Sequence, residues 1–448
     1  MRYLLPLLTL ALLVRLPLMN NGFWFDEVYS ADLVTFQKTP SQILNQVLLE
    51  DAHPPLFYLL LWGWAGIWGL HGAAVEGPPP GVEWKLRSFS LLWGLGVVTL
   101  CYVLGRQLSG VGLGLLAGGL AAIHPGLVLK DTEARMYPMF TFLCLLSLYG
   151  ILRGRGAVWG PAGLALLYTH HLAPFGLVMQ TLWAVWTWAR LSSLRAAIVW
   201  TAYLPWVPVL WAQYKAGRNN AEIRTDPGSM AFFFFDSLGN GGNPWLGEPS
   251  LLFTVVAWSL VGLGVWRGGR PGLLLLMASL GTYVLWTLVS LKVNILSERY
   301  LPVLAPPLLI LAAWGLVRVW EGGWRILAGV LAGVLVLGQT LTLVPLWGRG
   351  SSEPWREIAK ILEGRVHPGQ RVYVNEGGRA MSLLYYWRPP KGVTVESISP
   401  HLPPLRPGDW VVVRVIRGQD FLDEPSRQQI LAARRILEQN GVLLVRKD

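Results

Sequence analysis

The sequence predicts a mainly α-helical, polytopic transmembrane bundle with a small C-terminal α/β domain. The 448-residue chain is 53% hydrophobic and only 14% charged, with a mean hydropathy of +0.43. This composition lies far from that of an average soluble globular protein. The 24 Trp residues are typical of helices that end at the level of the lipid headgroups. Cys101 and Cys144 lie inside apolar runs, which argues against a disulfide framework or a cysteine metal site.

The positions of the arginines predict the topology. A spanning helix needs about 20 mostly apolar residues, and residues 4–20 are interpreted as a retained first helix because no small-residue cleavage site follows them. If the Trp-rich run 55–70 lies in the outer interface and does not span, the short Arg-containing connections all fall on one side. The positive-inside rule then favours about eleven spans with a cytoplasmic N-terminus. The net charge of +11 is therefore a topology signal, and no nucleic-acid partner is expected.

The predicted domain boundary lies at residue 349. Residues 1–348 form the transmembrane domain, and residues 349–448 form an extracytoplasmic α/β accessory domain. Four loops of the first domain are predicted on the outer side: 21–85, 130–136, 215–249 and 292–299. In the accessory domain, helices are predicted near 354–363 and 425–440. Strands are predicted near 371–375, 393–396, 410–416 and 442–446.

Ionisable residues concentrate at the predicted outer ends of the spans. The adjacent carboxylates Asp26 and Glu27 directly follow the first span, and an acidic pair is costly beside hydrocarbon. Other polar residues lie in the outer loops or at outer helix ends: Asp51, His53, Lys130, Asp131, Glu133, Arg135, Tyr137, His170, His171, Lys292, Glu298, Arg299 and Tyr300. Any one of them is compatible with an ordinary solvated or snorkelling side chain. Their convergence from separate loops onto one side indicates a functional site.

The chemistry of this set suits a reaction at a phosphate-linked group. A carboxylate supplies a general base, while Lys and Arg complement the negative charge that develops on a leaving phosphate. A carboxylate pair assisted by His also fits a divalent metal. The residues alone leave these two uses open.

The order of motifs resembles the GT-C class of integral-membrane glycosyltransferases. The resemblance is to bacterial relatives of protein O-mannosyltransferases and of the aminoarabinose transferase that modifies lipid A. The matching segments cover most of residues 1–320: FWFDEVYSADL (23–33), DAHPPLFYLLLWGWAGIWG (51–69), WKLRSFSLLWG (84–94), KDTEARMYPMFTFL (130–143), YTHHLAPF (168–175) and SERYLPVLAPPLLILAAWGL (297–316). Each segment alone is a weak signal, and their combination is fairly specific.

The resemblance implies inverting transfer of a sugar from a polyprenyl-phosphate donor to an acceptor hydroxyl of a protein, lipid or glycan. It implies a multi-pass protein of the cytoplasmic membrane whose active site lies on the extracytoplasmic side. By this resemblance Asp26 is the general base that activates the acceptor hydroxyl, and Glu27 orients Asp26 or the acceptor.

The resemblance also assigns binding residues. Glu133 and Arg135 lie near the donor sugar and phosphate, with Asp131 as a neighbouring acidic candidate. His53 shapes the site beside the donor. The remaining candidates for substrate binding are Arg87, Tyr137, His170, Lys292, Arg299 and Tyr300. Of these, Lys292 and Arg299 correspond to cations suited to the lipid phosphate, whereas snorkelling explains Arg87 almost as well.

No cofactor is expected, and a divalent metal is the less favoured alternative. Adjacent residues on a helix point about 100° apart, so only one of His170 and His171 is expected to face the site. The rival function is a lipid or solute transporter without glycosyl transfer. A transporter predicts ionisable residues deep inside the spans, whereas here the mid-span positions are mostly apolar. A scaffolding role leaves the acidic and basic set without a purpose.

Overall fold

The structure is a computed structural model that describes residues 3–36, 39–74, 77–188, 190–216, 226–240, 250–293, 295–349, 353–376, 380–415 and 422–448. Its first eight helices are α1 Leu4–Arg15, α2 Phe25–Thr35, α3 Pro40–Glu50, α4 Leu56–Ile67, α5 Val82–Ile123, α6 Pro125–Asp131, α7 Tyr137–Leu152 and α8 Gly156–Leu167. The next eight are α9 Ala173–Trp188, α10 Arg190–Tyr203, α11 Val207–Lys215, α12 Pro227–Asn240, α13 Ser250–Leu276, α14 Thr282–Ser290, α15 Ala305–Glu321 and α16 Arg325–Arg349.

The C-terminal elements alternate between helices and strands. They are α17 Trp355–Leu362, β1 Arg371–Asn375, α18 Met381–Tyr386, β2 Thr394–Ser397, β3 Trp410–Arg414, α19 Glu424–Leu431, β4 Arg434–Gln439 and β5 Val442–Arg446. The structure therefore confirms the predicted helical bundle followed by a small α/β domain.

Four stretches of helix in the described residues are long and apolar enough to cross a membrane: Val82–Ile123, Leu251–Ser290, Glu298–Glu321 and Arg325–Gly348. The first two are too long for a single crossing, and each contains a break. Helix α5 loses helical geometry at Ser109 and Gly110, and α13 does so at Gly269, whose φ of 56° favours glycine. These apolar helices make the chain a multi-pass membrane protein, and the number of spans, about eleven, stays a prediction.

Helix α4 is apolar and short. Its 12 residues rise about 18 Å at 1.5 Å per residue, less than the roughly 30 Å of a hydrocarbon core. Helices α1 and α8 also have 12 residues, so length does not separate α4 from the predicted spans, and its interfacial position stays a prediction.

The described chain divides into two compact units. The first contains Met1–Met19, Pro40–Leu60 and Arg87–Gly348, and the second contains Asn20–Thr39, Leu61–Leu86 and Arg349–Asp448. In the first unit, glycines allow α13 and α15 to pack closely. A Cβ atom on Gly264 would lie 2.1 Å from the Leu311 carbonyl oxygen, and one on Gly315 would lie 2.2 Å from that of Leu260. Small residues at such an interface let apolar helices approach backbone to backbone.

The second unit is built around a five-stranded sheet with the order β2-β1-β3-β5-β4. Strands β2, β1 and β3 run parallel, whereas β5 is antiparallel to both β3 and β4. Alternating side chains of the strands fill two cores, as a two-residue period requires. Val372, Trp410 and Leu444 pack with α17 and α18, while Tyr373 and Val445 pack on the opposite face.

The predicted helix over 425–440 is wrong in its second half. Helix α19 ends at Leu431, and residues 434–439 form β4. Asn440 and Gly441 both have positive φ, 46° and 75°, which is the geometry of the tight turns that join antiparallel strands. This Asn-Gly turn pairs β4 with β5, and the pairing overrides the helical preference of the segment.

The tail of the second unit holds the start of α2 in place. Glu353 accepts hydrogen bonds from the Phe25 backbone N–H at 3.1 Å and from Trp355 Nε1 at 2.7 Å, and it pairs with Arg414 Nε at 2.6 Å. The Tyr386 hydroxyl accepts from the Phe23 N–H at 2.7 Å. The residues that directly precede Asp26 are therefore anchored to the C-terminal domain.

Candidate active site

The first segment of the candidate site is the loop between α3 and α4. Asp51 Oδ1 accepts hydrogen bonds from the backbone N–H groups of Ala52 at 2.6 Å and His53 at 3.3 Å, and it lies 2.9 Å from His53 Nδ1. Burial by itself would raise the pKa of Asp51, but His53 and Arg135 hold that pKa well below its usual range. Asp51 is therefore an ionised carboxylate that orients the His53 ring.

The second segment joins α6 to α7 and combines opposite charges. Lys130 Nζ lies 2.9 Å from both carboxylate oxygens of Glu133, and both side chains are buried. Arg135 NH1 donates to the Tyr58 hydroxyl at 3.1 Å, which connects this segment to α4. In a buried pair of this kind each charge is costly without the other, so the two side chains hold each other in place.

The third segment contains both histidines of the His170-His171 doublet. Helix α8 ends at Leu167 and α9 begins at Ala173, so the doublet lies in the connection and the helical 100° rule does not apply. The two rings stack with centroids 4.4 Å apart, and each centroid lies 5.1 Å from that of His53. Both histidines therefore lie beside His53, and helical spacing gives no reason to choose only one of them.

Two tyrosines border the histidines. The Tyr300 ring lies 5.3 Å from His170 and 6.0 Å from Tyr137, and Tyr137 lies 5.9 Å from His170. Lys130 Nζ sits 5.1 Å from the centre of the Tyr137 ring. The predicted residues His53, Glu133, Arg135, Tyr137, His170 and Tyr300 thus belong to one continuous cluster in the first unit.

Asp131 and Arg87 have close partners of their own. Asp131 Oδ2 pairs with Arg15 NH2 at 2.6 Å and Nε at 2.8 Å, which joins α6 to α1. Arg87 NH1 donates to the carbonyl oxygens of Leu18 and Met19, each at 3.3 Å. Both side chains are almost completely buried, so each contributes to holding the end of the first helix.

Asp26 and Glu27 lie in the second unit, in the first turn of α2. Glu27 is fully buried, and its carboxylate accepts a hydrogen bond from the Trp24 N–H at 3.4 Å, as in a capping box. Asp26 is only half-buried. The environment therefore gives Glu27 a structural partner and leaves Asp26 more accessible.

The predicted phosphate-binding cations occupy different settings. Lys292 is exposed just after α14, and Arg299 is half-buried in the short 3₁₀ helix Glu298–Leu304. Of the predicted outer loop 215–249, residues 217–225 and 241–249 lie outside the described residues.

From sequence, Asp51 and Lys130 are included among the outer polar residues without an assigned role, and Tyr58 is not named, although all three are part of the cluster. Tyr58 belongs to the His-Pro-Pro-Leu-x-Tyr pattern that starts at His53. Lys130 stands three residues before Glu133, which is close enough in the chain for a local ion pair across the end of α6 at Asp131. Both signals were present in the sequence, whereas the pairing of Arg135 with Tyr58 is not local and has no signal of this kind.

The fold is similar to that of solved membrane glycosyltransferase structures. The crystal structure of ArnT from Cupriavidus metallidurans in the apo state has a TM-score of 0.59 and 15% identity, over 98% of this chain and 97% of that chain. The structure of the same protein bound to undecaprenyl phosphate also has a TM-score of 0.59, at 14% identity and the same coverage. At these identities the likeness establishes the fold.

The archaeal oligosaccharyltransferase AglB from Archaeoglobus fulgidus is similar at lower coverage. Its complex with an inhibitory peptide and a dolichol-phosphate has a TM-score of 0.51 and 12% identity, over 83% of this chain and 62% of that chain. Residues 7–173 of this chain match the family model described as dolichyl-phosphate-mannose-protein mannosyltransferase. No curated protein matches the chain. The matched range contains all three segments of the cluster that come before Tyr300.

Proposed function

We propose that the protein is a polyprenyl-phosphate-sugar glycosyltransferase that transfers a hexose or pentose, with inversion, to an acceptor hydroxyl of a protein, lipid or glycan. The observation that carries this proposal is the buried cluster of carboxylates, cations and histidines, on a fold shared with ArnT. A reaction that releases a phosphate-linked lipid needs a base and a set of cations. The proposed location is the extracytoplasmic face of the cytoplasmic membrane, with residues 349–448 on the same side.

The proposed roles follow the residue types and the motif order. Asp26 is the general base, which agrees with its half-buried position beside the fully buried Glu27. Arg135 and Tyr58 bind the donor, since an Arg held by a tyrosine hydroxyl at 3.1 Å is preorganised for phosphate or sugar oxygens. Arg299 is assigned to the lipid phosphate on the resemblance of its segment. Lys292, exposed after α14, is a second cation for the same phosphate.

The test is sugar transfer by the purified protein in detergent. The chain receives a panel of labelled polyprenyl-phosphate sugars, and consumption of the donor and labelling of acceptors are both followed. The Asp26→Asn variant should lose transfer by a factor of at least about 100, as expected for a general base. Glu50→Gln is the matched control, because Glu50 is an exposed carboxylate of the same predicted loop and should leave transfer unchanged.

Two outcomes contradict the proposal at different levels. If no donor of the panel is consumed by the unaltered chain, the glycosyltransferase function is overturned and a transporter becomes the leading function. If donors are consumed and Asp26→Asn remains fully active, the enzyme stands but Asp26 is not its base. An Arg299→Ala variant then separates donor binding from chemistry, because it should raise the donor Kd while the chain stays folded.

A further inference from the structure

We propose that His53, His170 and His171 form a binding site for a transition-metal ion, with Zn²⁺ as the best-suited ion. Each residue offers one ligand atom, and these three atoms lie within 4.8 Å of one another. The residues are 9%, 0% and 8% exposed, so the site is closed to bulk water on most sides. This proposal replaces the sequence-based expectation of no metal, and it does not rest on the proposed sugar transfer.

The first argument concerns hydrogen bonding. His53 Nε2, His170 Nε2 and His171 Nδ1 are all buried and have no hydrogen-bond partner in the described part of the chain. Buried polar atoms are normally satisfied, and an unsatisfied group calls for an explanation such as an ion. Three such nitrogens on three adjacent rings are explained together by one cation that binds all of them.

The second argument concerns the surroundings of His53. Metal-bound histidines usually donate their other ring N–H to a carboxylate, which fixes the tautomer and strengthens the ligand. Asp51 Oδ1 lies 2.9 Å from His53 Nδ1, so the proton resides on Nδ1 and the lone pair on Nε2. Asp51 is itself held by two backbone N–H groups, which makes His53 the preorganised ligand of the three.

The loops that carry the three residues are also tied to each other. The Leu56 backbone N–H, three residues after His53, donates to the Tyr168 carbonyl oxygen at 3.1 Å. Tyr168 in turn precedes the histidine doublet by two residues. This bond fixes the separation of the two loops without using any of the ligand atoms.

The geometry requires a limited contraction. Tetrahedral Zn²⁺ with Zn–N distances of about 2.0–2.1 Å places its ligand nitrogens about 3.3 Å apart, so the nitrogens must close by about 1.5 Å at most. His170 Nδ1 accepts a hydrogen bond from the Leu172 N–H at 3.1 Å. Binding through Nε2 moves the His170 ring proton to Nδ1, so this bond is lost when the metal is bound.

The donor set selects the class of metal. Three imidazole nitrogens suit Zn²⁺, Cu²⁺, Ni²⁺ or Fe²⁺, whereas Mg²⁺ and Mn²⁺ prefer carboxylate and carbonyl oxygens. Three protein ligands leave the fourth tetrahedral position for a water or another oxygen donor, as at open zinc sites. The Tyr300 ring lies 5.3 Å from that of His170 and 6.1 Å from that of His171, so it borders the cluster.

The experiment measures metal binding directly, on the untagged full-length chain in detergent and without any sugar donor. The chain is stripped with chelator, loaded with Zn²⁺ alone, desalted and analysed for bound metal. The expected result is about one Zn²⁺ per chain, as for a single mononuclear site. Loading with Co²⁺ should give the intense visible absorption of a tetrahedral site.

Variants assign the ion to these residues. His53→Ala and His171→Ala should each weaken Zn²⁺ binding by a factor of more than about 100. Asp51→Asn should weaken it by about 10- to 100-fold, as loss of a carboxylate that orients a metal-bound histidine does. His71→Ala is the matched control, since His71 is an exposed histidine stacked on Trp62 at 4.7 Å and should leave binding unchanged. Size-exclusion profiles of all variants verify that they remain folded.

The unaltered chain provides the decisive result even if a variant does not fold. Uptake of no more Zn²⁺ than the buffer blank overturns the site, as does a Co²⁺ spectrum of octahedral form. A bound equivalent that persists in His53→Ala and His171→Ala overturns the assignment to this cluster. Sugar transfer is measured in a separate assay, so failure of the metal site and failure of the proposed function are distinguished.

Discussion

The buried pair between Arg15 and Asp131 allows the structural and catalytic roles of Asp131 to be separated. Asp131 is a catalytic candidate by sequence, yet its carboxylate lies 2.6 Å and 2.8 Å from two nitrogens of Arg15. We predict that Asp131→Leu, which retains the branched shape of Asp, lowers the free energy of unfolding. Removing one partner leaves a fully buried guanidinium without its counter-charge, a change that costs about 3–5 kcal/mol.

The magnitude follows from what remains after the substitution. Arg15 NH1 keeps its bonds to the carbonyl oxygens of Ala11 at 2.9 Å and Ala122 at 2.7 Å. The hydrogen bond from Nε at 2.8 Å and the ion contact of NH2 at 2.6 Å disappear, and a hydrogen bond to a charged group is worth about 1.5–3 kcal/mol. The lost hydrogen bond therefore supplies part of the expected loss of about 3–5 kcal/mol, and the uncompensated buried charge supplies the rest. The assay is equilibrium unfolding in mixed micelles of mild detergent and SDS.

The double variant Arg15→Met, Asp131→Leu decides the interpretation. Replacing a buried ion pair by apolar residues of similar volume is often neutral, so the double variant should regain most of the lost stability. If it also regains sugar transfer, the role of Asp131 is structural. A double variant that is stable but inactive restores the catalytic assignment. A loss below about 1 kcal/mol in Asp131→Leu refutes the reasoning itself, because the charge would then be compensated elsewhere.

Two further predictions concern the second unit. Glu353→Gln removes the counter-charge of Arg414 and weakens the hydrogen bond from the Phe25 N–H. Amide exchange at the start of α2 should therefore accelerate by at least about tenfold, as expected for a loss of about 1.5–3 kcal/mol. Unchanged exchange rates would contradict the anchoring of α2. Burial raises the pKa of Glu376 from 4.5 to about 7, so the folded state retains the proton more strongly and stability should fall as the pH rises from about 4.5 through 7. The full effect is about 3 kcal/mol. Glu376→Gln should abolish it because the amide does not titrate, and its oxygen still accepts from the Ser382 N–H. Exchange of the β1 amides between pH 5 and 9 measures the effect, and equal pH profiles for the two chains would refute the assignment.

The sequence predicted the parts of the fold that depend on local pattern. The strands at 371–375 and 442–446 coincide with β1 and β5, because alternating apolar residues mark a buried strand within a few positions. The segment 434–439 was wrongly predicted as helix because its residues favour a helix locally. It forms a strand because it pairs with β5. The Asn440-Gly441 turn was the available local signal for that hairpin.

The candidate site shows the same division between local and long-range information. The sequence places His53, Arg135, Tyr137 and His170 at predicted outer helix ends, and the charges between the apolar runs predict which ends are outer. This was sufficient to name these four as candidate site residues, and the structure brings them into one cluster. What sequence could not provide was the partner of each charge. Arg15 and Asp131 are 116 positions apart, so no spacing rule connects them. The 100° spacing of helical residues did not apply to His170 and His171, because the helix before them ends at Leu167. The residues whose function depends on a non-local partner are therefore the ones on which the double-variant and metal-binding experiments should concentrate.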